Sequence, residues 1–168
     1  MFKTTSMRHV FFAVLVLLIT SGLCHGQTAA KSIYFELGGP GLASFNFDTR
    51  FTKKEDGIGG RIGVGGFSID GESLLTVPVG LNYILGKDER HYFELGAGAT
   101  FVNYNSKYFD EEGTFESTFG HLTFGYRLQP KDGGFLFRAA IVPVFNKDGF
   151  IPYYAGIAFG YKFGGKKN

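Results

Sequence analysis

The feature that most constrains this chain is a period-two alternation in which large apolar side chains take every second position and the positions between are mostly glycine or polar. Phe45, Phe47 and Phe51 lie on one face of a strand, and Asn46, Asp48 and Arg50 on the other. The same pattern runs through Val77–Tyr83, Phe93–Phe101, Leu122–Leu128 and Ala155–Phe163. Successive strand residues point to opposite faces, so this is the pattern of strands with two unlike faces. Seven polar or Gly-rich breaks, at 38–41, 52–57, 68–73, 86–91, 103–116, 129–134 and 146–149, separate eight such runs. Most runs hold about nine to thirteen residues, and a tilted membrane-crossing strand needs ~9–11.

The direction of the two faces decides the class. A soluble barrel or sandwich turns its apolar face inward, whereas a membrane barrel turns it outward. The non-apolar face here is dominated by glycine, at positions 63, 65, 80, 96, 98, 125, 156 and 160. A water-facing surface has no need of that glycine. The interior of a narrow barrel does, because inward side chains crowd there. Phe and Tyr recur toward strand ends, for instance Phe35, Phe51, Tyr83, Phe101, Tyr126 and Phe163, as in the aromatic girdles of membrane barrels. The sequence therefore predicts an all-β, eight-stranded, up-and-down antiparallel transmembrane β-barrel. The competing reading is a secreted or periplasmic soluble barrel that binds a small apolar ligand. Pro78 and Pro143 fall inside strand runs, and each predicts a local bulge or bend.

The start of the chain reads differently. Lys3 and Arg8 precede an apolar run from Val10 to Ile19, and small or polar residues follow up to Gly26. This is the layout of a cleaved signal peptide over residues 1–26, leaving a domain at 27–168. The apolar run is too short for a spanning helix, which needs ~20 residues. Leu23 before Cys24 is a poor match to a lipidation signal. Cys24 is the only cysteine, so the remaining domain is expected to have no disulfide and no thiolate chemistry. Without Lys3 and Arg8, the 17 basic residues fall to 15 and balance the 15 acidic ones. No basic patch suggests nucleic acid as a partner.

In the segments Tyr34-Phe35-Glu36-Leu37-Gly38-Gly39, Val77–Tyr83, Phe93–Gly98 and Phe124–Arg127, the chain resembles the small bacterial outer-membrane barrels typified by OmpX and the membrane domain of OmpA. The resemblance covers all of residues 27–168 and rests on pattern. It implies an outer-membrane location, contact with membrane lipid, and insertion by the barrel-assembly machinery. The last run, with Tyr154, Gly156, Phe159, Tyr161 and Phe163, is similar to the terminal strand that this machinery recognises. It departs in continuing to Asn168. The resemblance also implies a periplasmic N-terminus. Breaks 38–41, 68–73, 103–116 and 146–149 then become external loops, and any specificity falls to loop 103–116.

The inward face carries Glu36, Asp48, Arg50, Arg61, Glu94, His121, Arg127, Arg138 and Lys162. Charges in a narrow lumen must be paired or strongly hydrogen-bonded, so three acids among five permanent bases predict a structural network filling the barrel. Glu94 is expected to pair with Arg127 or Arg61, and the surplus positive charge to meet water or the Tyr34 and Tyr154 hydroxyls. Some small outer-membrane barrels are lipid-modifying enzymes with a His, a Ser and an acid near the outer rim. Here His121-Leu122-Thr123 has Thr where such enzymes have Ser, and His91 lies at the opposite end. No catalytic residue, metal site or cofactor is predicted. The glycines of 57–66 lack the Lys-Ser/Thr of a phosphate loop, and Asp110-Glu111-Glu112 lacks the ligand spacing of a calcium loop.

Overall fold

A computed structural model describes residues 29–69, 72–106 and 117–164. The signal-peptide boundary and loop residues 107–116 lie outside the described residues. The strands are β1 (Lys31–Gly38), β2 (Ala43–Arg50), β3 (Gly57–Ile69), β4 (Glu72–Leu85), β5 (His91–Ser106), β6 (Ser117–Leu128), β7 (Gly134–Ile141), β8 (Val144–Phe145), β9 (Phe150–Ile151) and β10 (Ala155–Phe163), with a 3-10 turn at Gly39–Gly41. Consecutive strands pair antiparallel from β1 to β7, β7 pairs with β10, and β10 returns to β1. The sheet is closed, so every barrel strand has two neighbours and no edge is left open.

The two-residue strands belong to this barrel. β8 pairs with β6 in the register already set by β7, with Phe124 opposite Ile141 and His121 opposite Val144. Between them the Leu122 N–H donates to the Pro143 carbonyl over 2.9 Å. β7 and β8 are one strand interrupted at Val142–Pro143, and the barrel has eight strands. The pairing can be followed from Gly38 through Gly156, Ala140, Gly125, Glu94, Ile84 and Gly57. Extending the β2 registers by two residues then returns it to β1 ten residues nearer the chain start. Such a stagger tilts the strands roughly 35–45° from the barrel axis, and eight strands leave an interior that side chains can fill.

The burial pattern is inverted relative to a soluble protein. Phe45 is 69 % exposed and Leu81 54 %, while Asp48, between two outward residues, is 1 % exposed. The exposed face of every strand is mainly apolar, and the described interior holds five permanent cations. This rules out the soluble ligand-binding barrel, which needs the opposite assignment. Aromatics gather at both ends of the outer wall. Phe51, Tyr83, Phe93, Phe135, Tyr161 and Phe163 stand at the end of the short turns, and Phe67, Phe101, Phe145 and Phe150 at the other.

Two expectations need correction. Pro78 causes no bulge. β4 keeps one register with β5 from Glu72–Ser106 to Leu85–Phe93, and Pro78 sits opposite Thr100. Pairing with β3 only lapses at Gly63 and Val64, with the same register on either side. The missing N–H is absorbed by losing contacts, without an inserted residue. At Pro143 the extra residue is on the partner strand. Three residues, 152–154, intervene there between the Ile151 and Ala155 pairs, against Val142 and Pro143 on the near side. The break at 68–73 is also mostly strand, since Phe67, Ser68 and Ile69 pair with Leu74, Ser73 and Glu72. Residues 70 and 71 between them lie outside the described residues.

Candidate functional site

Period-two geometry carries Glu36, Asp48, Arg50, Arg61, Glu94, His121, Arg127, Arg138 and Lys162 into the lumen, where all are buried. Seven of them form one continuous chain in which base and acid alternate. Arg61 Nη2 donates to Glu36 at 2.9 Å, and Arg138 Nη1 donates to the other Glu36 oxygen at 3.1 Å. Arg138 then makes two hydrogen bonds to Glu94, at 2.7 Å and 2.9 Å. Arg127 joins Glu94 at 3.4 Å to Asp48 at 3.0 Å, and Arg50 ends the chain on Asp48 at 2.7 Å. The Asn82 amide braces it by donating to both Asp48 and Glu94.

Glu94 does pair with Arg127, but its two shorter bonds go to Arg138, and Arg61 turns to Glu36 instead. Gly125 stands opposite Glu94 on β6 and presents no side chain to block Arg138 on β7. Tyr34 meets Arg138 with its ring rather than its hydroxyl. The Arg138 guanidinium carbon lies 4.6 Å from the ring centre, a cation–π contact.

Turn residues pack against the lumen network at both ends. At one, Gly39, Pro40 and Gly41 are buried, and Thr76 donates to the Gly41 carbonyl over 2.8 Å. Gly39 has φ +66°, and a Cβ there would stand 2.7 Å from the Glu36 carboxyl carbon. Glycine is therefore required both for the backbone conformation and for the close approach. At the other mouth Glu55, from the 51–56 turn, accepts from Lys162 over 2.8 Å, and Gln129 reaches the same residue. Glu55 was not legible as a lumen residue, because a turn carries no facing rule. Asn82 could have been found by its even position on β4, and Gln129 only by extending β6 one residue past its end.

His121 is buried with Nδ1 3.4 Å from Thr100 Oγ1, and Thr123 shares its inward face. Among the described residues no carboxylate is hydrogen-bonded to His121, so a nucleophile–base–acid array is not assembled there. His91 is on the outer wall and contacts the Tyr126 hydroxyl. Among the described residues no group of three or more His, Cys, Asp or Glu side chains is placed to hold a metal.

The terminal-strand residues divide between the faces. Phe159, Tyr161 and Phe163 are exposed on the outer wall, and Gly156 is buried. Tyr154, an odd number of residues from Phe159, shares the inward side with Gly156 and offers its carbonyl to the Val142 N–H at 2.6 Å.

No family model and no curated protein matches the chain. Solved structures do. The N-terminal β-barrel domain of OprF from Pseudomonas aeruginosa aligns with a TM-score of 0.55 at 15 % identity, covering 83 % of this chain and all of that one. The outer membrane protein Ail from Yersinia pestis, in a phospholipid bilayer nanodisc, aligns with a TM-score of 0.51 at 16 % identity, covering 80 % of this chain and 99 % of that one. The fold is that of the eight-stranded outer-membrane barrels. At these identities the likeness fixes architecture, and the lumen of this chain has to be read from its own residues.

Proposed function

We propose that this protein is a non-enzymatic resident of the outer membrane of a Gram-negative bacterium, with a closed lumen and a structural or surface-interaction role. The observation that carries the reading is the inverted polarity: an apolar, aromatic-rimmed wall around an ion-paired interior. Lipid hydrocarbon solvates such a wall and water does not. The barrel is closed to ions because charged side chains fill its middle, with the buried Gly39–Gly41 turn at one end and the Glu55–Lys162 pair at the other. The nine lumen residues then serve stability, since each is buried and engaged with a partner inside the barrel. Export requires residues 1–26 to act as a signal peptide, and insertion uses the assembly machinery reading the outer face of β10. With the N-terminus periplasmic, the connection between β5 and β6 is external and is where a partner would be recognised; of the expected 103–116 loop, residues 103–106 are strand paired with β4.

Cell fractionation tests the location. The protein should sediment with the outer membrane, resist carbonate extraction and migrate differently on gels before and after boiling. Recovery in the soluble periplasmic fraction would overturn the assignment.

A further inference from the structure

The lumen chain runs from Arg61 to Arg50 and holds four guanidiniums against three carboxylates. Lys162 and Glu55 balance each other separately. Among the described residues one positive charge is therefore left over inside a wall that faces lipid, and an uncompensated buried charge is strongly unfavourable. The two ends of the chain are not equivalent. Arg50 also donates to the Gly57 carbonyl over 2.9 Å and to the Asn82 side-chain oxygen. Arg61 makes a single hydrogen bond, to Glu36. Its Nε and Nη1 are buried and without a hydrogen-bond partner among the described residues, against Nε alone at Arg50. The surplus charge therefore sits at Arg61.

Tyr34 adds a further unused donor at the same place. It lies two residues before Glu36 on β1, and its hydroxyl is buried without a partner among the described residues. Its ring lies 4.6 Å from the guanidinium carbon of Arg138, which shares the Glu36 carboxylate with Arg61. His121 is within electrostatic reach of Arg61 from β6. Unused buried donors are normally satisfied by ordered water or by a ligand. Water alone would serve the hydrogen bonds, and the one unused acceptor nearby, Asn46 Oδ1, requires a donor such as water. Water would still leave the charge.

We propose that the lumen binds one small monovalent anion of chloride size, held by the Arg61 guanidinium and the Tyr34 hydroxyl. The anion brings the buried cluster to neutrality and accepts from donors that the protein leaves free. It is enclosed by the Gly39–Gly41 turn above and the ion-pair chain below, so it acts as a structural counter-ion.

Thermal unfolding of the whole protein, refolded in detergent, tests this at fixed ionic strength with sodium chloride exchanged for sodium gluconate. Gluconate is too large to enter. The unfolding midpoint should rise with chloride, and above saturation the folded-to-unfolded ratio should grow about tenfold for each tenfold rise in chloride. Tyr34→Phe removes one donor, keeps the ring under Arg138, and should weaken this dependence in a barrel that still folds. Arg61→Gln should abolish it. Crystals grown in bromide should show an anomalous peak beside Arg61 and Tyr34. Wild-type curves that coincide in chloride and gluconate would overturn the site. So would a chloride dependence unchanged in Tyr34→Phe, or the absence of the bromide peak.

Discussion

Arg138 on β7 reaches over β6 to make two hydrogen bonds to Glu94 on β5, at 2.7 Å and 2.9 Å. Arg127, on the strand between them and directly opposite Arg138, makes only a 3.4 Å contact with the same carboxylate. Glu94 is thus the point where two guanidiniums from neighbouring strands converge. Each would lose one of its two carboxylate partners if it were removed, Arg138 keeping Glu36 and Arg127 keeping Asp48.

Glu94→Ala should therefore be among the more damaging single changes in the lumen. Removing one partner of a buried pair costs about 3–5 kcal/mol, so the temperature at which the folded band disappears on an unboiled gel should fall clearly. Glu94→Gln keeps the acceptor oxygen but not the charge, and should fall between the two. A transition unchanged in Glu94→Ala would show that the carboxylate is solvated.

Purified protein in a planar bilayer should pass little or no ion current, because an eight-stranded interior is only wide enough for side chains and here they are tied together. Glu55→Ala releases Lys162 at one mouth. Because Lys162 is fully buried and Glu55 only partly exposed, the barrel should lose more than the ~1 kcal/mol of a surface pair. Stable single-channel steps in the wild type would refute the closed lumen.

Adjacent residues should report opposite solvents. Phe47 is 40 % exposed on the outer wall and its neighbour Asn46 is 4 % exposed. A spin label or fluorophore on a cysteine at Phe47 or Leu81 should be quenched by lipid-soluble agents, and one at Asn46 should not. Leu81→Arg should destabilise by about 2–4 kcal/mol if the site is near mid-membrane. A label at Phe47 that lipid quenchers never reach would defeat the membrane assignment.

At the turn between β4 and β5, Asp88 accepts the backbone N–H groups of His91 and Arg90. These bonds hold its carboxyl below the usual carboxylate range, the His91 N–H contributing most. A folded value lowered relative to the unfolded chain gives stability that is present above the unfolded value and lost as pH falls through the folded one. A carbon-13 titration should place the Asp88 midpoint below that of a model peptide, about 3.9. Asp88→Asn should remove this contribution to the acid sensitivity of the turn. A midpoint at or above the model value would mean the turn bonds are not formed in solution.

The alternation of Phe45, Phe47 and Phe51 with Asn46, Asp48 and Arg50 was enough to assign the faces. A strand side chain has only two directions, and a closed barrel turns one of them inward. All nine lumen residues could be named for that reason. Partners could not, because a register and a stagger decide which inward residues share a level. Long arginines then choose among several carboxylates within reach. Arg138 won Glu94 over Arg61 because Gly125 left β6 open at that height. Glu55 was hidden because a turn residue obeys no period, and the bulge opposite Pro143 because proline states only that an N–H is missing. The sequence by itself determined the strand count and the two faces, which follow from local periodicity, and the inversion of polarity, which rests on the glycines of the non-apolar face and the aromatics at strand ends. The ion-pair order and the unused donors at Arg61 were decided only by tertiary structure, because they depend on distances between residues far apart in the chain.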